Sequence, residues 1–262
     1  MSSSTPADLP VHRFTGRDGA ELAYRELGDG RPVVLIHGFF STAYVNWIRY
    51  GHAAALAERG FRVVMPDLRG HGDSAHPHDP AAYPADVLAD DGFALLDHLG
   101  LDDYDLGGYS LGGRTAVRML ARGARPRRAI VAGMGYDGIV DTGSRGGHFR
   151  YILENLGTFE RGTPQWRAQA FLETVGADPV AMLHVLDTFV DTTPGELARI
   201  EVPTLVISGV DDVDNGSSAE LAGALPDARF TEIPGDHMGA VTKRELGAAM
   251  AEFLEAPELE AP

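Results

Sequence analysis

The feature that most constrains this chain is a regular alternation of short apolar runs and amphipathic segments. The run Pro32–Ile36 is apolar throughout and ends in His37-Gly38, which is typical of a strand buried on both faces of a sheet. Strands that alternate with helices form a mainly parallel sheet with helices on both faces. The pattern therefore predicts an α/β fold with an eight-stranded sheet. The predicted strands are Val11–Phe14, Glu21–Tyr24, Pro32–Ile36, Phe61–Met65, Tyr104–Leu106, Arg128–Ala132, Thr204–Ser208 and Arg229–Ile233.

The alternation stops between residues 136 and 200, where only helical patterns occur, at 147–156, 164–175 and 179–190. We expect residues 1–135 and 201–262 to form the core, and residues 136–200 to be a helical cap inserted over the site. Ligands of such sheets bind at the carboxyl ends of the strands, which is where this insertion interrupts the strand order. The glycine-rich segment 141–147 is predicted to be a mobile access to the cap.

Composition excludes several classes of function. The chain has 22 Lys and Arg against 38 Asp and Glu, a net charge of −16, which disfavours binding to nucleic acid or to an anionic membrane. The absence of cysteine excludes disulfides, Cys-ligated metals and thiol catalysis. No signal peptide or membrane-length apolar run is present, so we expect a cytoplasmic protein that acts on a small molecule.

The segment Gly108-Tyr-Ser-Leu-Gly112 contains the strongest chemical signal in the chain. It lies between a predicted strand and a predicted helix, so it matches the sharp turn that exposes a nucleophilic serine at its apex. Small residues are needed on both sides of the apex, and glycines supply them. Ser110 is therefore the predicted nucleophile. The N–H of Leu111 begins the helix and points toward an anion, so it is one predicted oxyanion donor.

A second oxyanion donor is expected from the loop after an earlier strand. His37-Gly-Phe-Phe40 follows the strand Pro32–Ile36, and the Phe39 N–H is the candidate. His37 itself is interpreted as a packing residue beneath this loop.

The serine needs a base, and ten histidines are available. His237 directly follows the last predicted strand and precedes the last helix, so it lies at the carboxyl edge of the sheet. His71, in a loop at the same edge, is the main rival. His76 and His78 resemble a metal-binding pair, but no third ligand is evident, so no metal or other cofactor is predicted.

The base in turn needs a carboxylate that fixes its tautomer. Asp212, three residues after Gly209 at the end of a predicted strand, is the candidate acid. Asp211 and Asp214 in the same loop are alternatives. Asp137, which follows the preceding strand, is another.

The order Ser110, Asp212, His237 is that of the α/β-hydrolase arrangement. From about residue 11 to 254 the chain resembles that superfamily, with further marks in the loop at His37 and the segment Asp67-Leu-Arg-Gly-His-Gly-Asp-Ser74. Within the superfamily, the chain most resembles the compact branch whose members carry a helical cap. It contains esterases, cofactor-free perhydrolases similar to haloperoxidases, and carbon–carbon bond hydrolases. In the family the 67–74 loop is structural, and epoxide hydrolases and haloalkane dehalogenases carry Asp at the elbow.

These features predict a serine hydrolase that cleaves a small, largely apolar carboxylic ester or lactone through an acyl-enzyme. Carbon–carbon bond hydrolysis and cofactor-free perhydrolysis with the same triad are alternatives, and a ligand-binding receptor on this fold is a third. Apolar residues of the cap and of the loops near the nucleophile are expected to line the pocket. The predicted pocket residues are His37, Phe40, Tyr44, Tyr136, Trp166, Met182, Leu186 and Met238.

Overall fold

A computed structural model describes residues 9–256, without the side chain of Arg145. The outer ends of the predicted core, residues 1–8 and 257–262, lie outside the described residues. Within this range, no helix is long and apolar enough to cross a membrane.

The strands are β1 His12–Thr15, β2 Glu21–Leu27, β3 Arg31–Ile36, β4 Phe61–Asp67, β5 Asp105–Tyr109, β6 Ala129–Ala132, β7 Thr204–Gly209 and β8 Ala228–Ile233. They form one eight-stranded sheet in the order β1-β2-β4-β3-β5-β6-β7-β8. β1 and β2 form an antiparallel hairpin, β2 pairs antiparallel with β4, and the pairs from β4 to β8 are parallel. The predicted α/β fold with a mainly parallel sheet is thus confirmed.

Alternate residues of the central strands pack against different helical layers, because successive side chains of a strand point to opposite faces. Val33 and Leu35 belong to one apolar cluster, whereas Val34 and Ile36 belong to another. The first cluster is covered by α1 (His52–Ala57) and α11 (Arg244–Glu255). The second is covered by α2 (Val87–Leu99), α3 (Leu111–Ala121) and part of the insertion. The core helices are α1 His52–Ala57, α2 Val87–Leu99, α3 Leu111–Ala121, α9 Ser218–Ala224, α10 His237–Ala240 and α11 Arg244–Glu255.

Five helices lie between β6 and β7, where the sequence predicts the cap. They are α4 Asp137–Val140, α5 Thr142–Glu154, α6 Pro164–Val175, α7 Pro179–Asp187 and α8 Pro194–Leu197. The predicted start of the helix at 147–156 is wrong, because the corresponding helix, α5, begins at Thr142. The Asp191 carboxylate accepts hydrogen bonds from the Thr142 N–H (2.8 Å) and hydroxyl (2.7 Å), and so supplies an acceptor at the helix start. The glycine-rich segment is therefore mostly helical, and the division into core and cap stays a prediction.

A π-helical turn, Tyr44–Ile48, follows the loop after β3 and is not predicted from the sequence. Its defining bond runs from the Arg49 N–H to the Tyr44 carbonyl (2.8 Å). Asn46, Trp47 and Ile48 on this turn are buried, which anchors it in the core. Isolated π turns occur frequently at functional sites.

Candidate active site

Ser110 lies at the apex of a sharp turn between β5 and α3. Its φ of 54° is a conformation that residues other than glycine rarely adopt. The flanking glycines make this turn possible, because a Cβ on Gly108 would lie 2.2 Å from the Gly112 carbonyl carbon, and one on Gly112 would lie 2.0 Å from the Ile36 oxygen. The turn therefore holds the Ser110 hydroxyl at the carboxyl edge of the sheet, as the sequence predicts.

Ser110, His237 and Asp212 form a continuous hydrogen-bonded chain. The Ser110 Oγ lies 3.0 Å from His237 Nε2, and His237 Nδ1 lies 2.9 Å from Asp212 Oδ2. A carboxylate can only accept, so Nδ1 carries the proton and Nε2 is left free to accept the serine proton. The Asp212 side chain is only 4% exposed and that of His237 11%, so little water competes for these bonds.

His237 is the first residue of the short helix α10 rather than a loop residue. The Asp236 carboxylate caps this helix by accepting a bond from the Gly239 N–H (2.7 Å). The Tyr109 hydroxyl donates to the His237 carbonyl (2.6 Å). Burial and the nearby Asp212 raise the pKa of Tyr109, so its phenol stays protonated and remains a donor. Tyr109, the residue before Ser110, thus fixes the backbone of His237.

The alternative acids occupy other positions. Asp211 and Asp214 are exposed, and the Asp214 N–H donates to the second Asp212 oxygen (3.2 Å). Asp137 begins α4, where its carboxylate lies against Gly216. Asp212 is therefore the carboxylate that the fold brings to His237.

The rival base His71 is buried and belongs to the framework beneath the site. Its Nδ1 donates to the Arg69 carbonyl (3.0 Å), and burial together with the neighbouring His37 lowers its pKa to about 3. His37 Nε2 accepts from the Leu68 N–H (2.9 Å), and Nδ1 donates to the Gly38 carbonyl (2.8 Å). Burial lowers the pKa of His37 to about 4, so both rings are neutral near pH 7.

The segment 67–74 is held by polar contacts within it and with residues outside it. The Arg69 guanidinium is bound by the Asp18 and Asp91 carboxylates, and the Ser74 hydroxyl donates to the Asp67 carbonyl (2.6 Å). His78, part of the metal-like pair His76 and His78, instead lies 2.6 Å from Asp178, the residue that caps α7.

The two predicted oxyanion donors lie beside the serine. Leu111 is the first residue of α3, so the helix supplies no acceptor for its N–H. Phe39 follows Gly38, which approaches so closely that a Cβ there would lie 3.3 Å from the Ser110 Cβ. The Gly38 N–H is itself taken by the Asn46 side chain (2.8 Å), which ties this loop to the π-helical turn.

A cavity of about 400 Å³ opens above the serine. Its walls come from the loop after β3, the π-helical turn, the C-terminal part of α6, and α10 with the residues after it. The lining residues are Gly38, Phe39, Ser41, Thr42, Tyr44, Val45, Asn46, Arg49, Tyr50, Tyr109, Ser110, Phe171, Thr174, Val175, His237, Met238, Val241 and Thr242.

Only part of the predicted pocket lines this cavity. Tyr44 and Met238 do, whereas six other predicted residues lie elsewhere. Met182 and Leu186 are buried where α7 packs on the core, and they belong to the same apolar cluster as Phe40. The other three are His37 under the loop, Tyr136 against the apolar cluster around α9, and Trp166 beside Arg161.

The sequence reasoning missed the wall formed by Phe171, Thr174 and Val175 of α6 and the wall formed by Val45, Arg49 and Tyr50. Which face of a cap helix meets the cavity depends on tertiary packing, and the π-helical turn has no signature in the residue pattern. One signal in the sequence does point to this second wall: Arg49 and Tyr50 come soon after the loop that is predicted to supply an oxyanion donor.

Known proteins are similar to this chain along most of its length. A family model described as alpha/beta hydrolase fold matches residues 31–195. A non-heme haloperoxidase from Rhodococcus erythropolis is 30% identical, over 92% of this chain and 98% of the relative. A solved hydrolase from Pseudomonas aeruginosa is 26% identical with a TM-score of 0.78, over 94% of this chain and 98% of that one. A thermophilic esterase from Thermogutta terrifontis is 26% identical with a TM-score of 0.74 over the same shares.

Proposed function

Because the chain belongs to the α/β-hydrolase fold family, we propose that it is a serine hydrolase that cleaves small, largely apolar carboxylic esters or lactones through an acyl-enzyme. The hydrogen-bonded chain from Ser110 through His237 to Asp212 carries this proposal. A serine hydroxyl becomes an effective nucleophile only beside a base of this kind.

In the first half-reaction, the Ser110 Oγ attacks the ester carbonyl while His237 Nε2 takes the serine proton. The resulting imidazolium is stabilised by Asp212, and the Phe39 and Leu111 N–H groups hold the oxyanion. The tetrahedral intermediate then collapses. The bond to the alcohol oxygen breaks, and the departing alcohol receives the proton from His237.

In the second half-reaction, His237 removes a proton from water, and the hydroxide adds to the acyl carbon. Collapse of this intermediate releases the carboxylic acid, and the serine oxygen regains its proton from His237. No cofactor takes part in these steps. The mainly apolar and aromatic cavity wall supports an apolar acyl or alcohol portion.

The test uses p-nitrophenyl acetate hydrolysis and labelling by a fluorophosphonate probe. We expect the wild type to be labelled and active, and Ser110→Ala to lose labelling with a fall in kcat on the order of 10⁶-fold. Ser144→Ala is the matched control, because Ser144 is an exposed serine on α5. Near-normal hydrolysis by Ser110→Ala would contradict the proposal.

A second candidate, perhydrolysis, is favoured by the relative from Rhodococcus erythropolis, which is named a non-heme haloperoxidase. Hydrogen peroxide in place of water would attack the same acyl-enzyme and release a peroxy acid. We would measure bromide oxidation in the presence of acetate and peroxide. A rate that depends on Ser110 and exceeds ester hydrolysis would favour this candidate.

A further inference from the structure

Arg49 stands out among the residues around the cavity because it is a cation without a carboxylate partner. Its guanidinium forms no ion pair or hydrogen bond within the part of the chain that the structure describes. Other arginines, such as Arg25, Arg69 and Arg118, are bound to carboxylates, as an excess of acidic residues favours. The charge of Arg49 is therefore available to a ligand.

The backbone of the π-helical turn holds the Arg49 side chain at the cavity. The Arg49 N–H closes the π-helical turn by donating to the Tyr44 carbonyl (2.8 Å). The opposite side of the turn is fixed, because Trp47 is fully buried and the Asn46 amide oxygen accepts from the Gly38 N–H (2.8 Å). The same turn that braces the oxyanion loop thus also places Arg49 on the cavity wall.

The surroundings of Arg49 suit an anionic ligand. The guanidinium carbon lies 5.6 Å from the centre of the Tyr50 ring, a cation–π distance, and Tyr50 lines the cavity as well. The rest of the wall is largely apolar. With a net charge of −16 the molecule as a whole repels anions, so an anionic substrate would need a local cation such as this one.

We propose that Arg49 binds a carboxylate on the substrate, so that the preferred substrates are esters that carry one carboxylate at the end remote from the scissile bond. Hemiesters of short dicarboxylic acids are the simplest members of this class. The ester carbonyl would lie at Ser110, the methylene chain along the apolar wall, and the carboxylate in a charge-assisted hydrogen bond with the guanidinium. This proposal rests on the proposed ester hydrolysis.

The test compares two p-nitrophenyl esters of similar size, the glutarate hemiester and the neutral pentanoate, by their ratio of kcat/KM. We expect wild type to prefer the anionic ester by at least about tenfold at low salt. The Arg49→Gln variant should lower this ratio by about 10- to 100-fold, the range for loss of a hydrogen bond to a charged group. Arg229→Gln is the matched control, because Arg229 is exposed on β8, away from the cavity, and should keep the wild-type ratio.

Raising the ionic strength should also lower the wild-type ratio, because Arg49 is exposed and its charge is screened. A wild-type ratio near one, or an unchanged ratio in Arg49→Gln, would overturn the role of Arg49 and leave ester hydrolysis standing. If the wild type hydrolysed neither ester, that result would overturn the proposed function itself, and with it the proposed carboxylate-bearing substrate.

Discussion

The two nitrogens of His237 have different partners, and in the proposed mechanism this difference sets the direction of proton transfer. Asp212 can only accept, so it holds the proton on Nδ1 and leaves Nε2 free for Ser110. An amide at position 212 could donate to Nδ1 and thereby favour the wrong tautomer.

We therefore expect Asp212→Asn to lower kcat for p-nitrophenyl acetate by roughly 10⁴-fold while the protein stays folded. Asp211→Asn is the control for removing a charge from the same loop, and it should stay within about threefold of wild type because the Asp211 carboxylate is exposed. Steady-state kinetics with circular dichroism checks both. A larger loss in Asp211→Asn than in Asp212→Asn would show that Asp211, and not Asp212, is the acid.

The buried side chain of His37 leads to a second prediction, which concerns the stability of the folded protein at acidic pH. Its pKa is lowered by burial from 6.5 to about 4, so the unfolded chain takes up the proton before the folded protein does. The free energy of unfolding therefore falls as the pH drops from about 6.5 toward 4, by on the order of 3 kcal/mol from this residue.

Replacing His37 by Gln removes this titration, so the variant should lose less stability than wild type across that pH range. Urea unfolding at several pH values measures the difference. His76→Gln, in a surface loop, should keep the wild-type slope. Equal slopes in wild type and His37→Gln would show that the buried ring is protonated without cost.

At the scale of secondary-structure elements, the strands and the meeting of Ser110, His237 and Asp212 could be predicted from the sequence, whereas the cavity wall could not. The strands come from local apolar runs, and Ser110 lies in a short motif between two of these elements. His237 and Asp212 each follow a predicted strand, so parallel pairing alone brings them to one edge. The pocket depends instead on how α6 and α7 rotate on the core, and this is decided by contacts far apart in the chain.

The α6 helix gives the sharpest test of this wall. Phe171 lines the cavity, whereas Trp166, five positions earlier, does not. Truncating Phe171 to Ala should extend the cavity and raise the ratio of kcat/KM for p-nitrophenyl octanoate over butyrate by roughly tenfold, since each additional buried methylene contributes about 0.8 kcal/mol. Trp166→Ala should leave the ratio unchanged. If Trp166→Ala raised the ratio and Phe171→Ala did not, the face of α6 that carries Trp166 would lie over the serine.

At the scale of the whole molecule, the predicted cap and the predicted core share one apolar cluster. Met182 and Val185 of α7 are fully buried together with Val34 and Leu106 of the sheet. Because a cap that unfolded alone would expose this surface to water, we expect cap and core to unfold in a single transition.

The two tryptophans of the chain can test this, because Trp47 lies in the core and Trp166 on α6. Trp47→Phe leaves a reporter in the cap, and Trp166→Phe leaves one in the core. In each variant, the urea midpoint from fluorescence should coincide with that from far-ultraviolet circular dichroism. Comparison within a variant removes the effect of the substitution on stability. If the Trp166 signal changed at lower urea than the dichroism, the cap would be an independently unfolding unit, and the shared cluster would contribute little to holding it over the site.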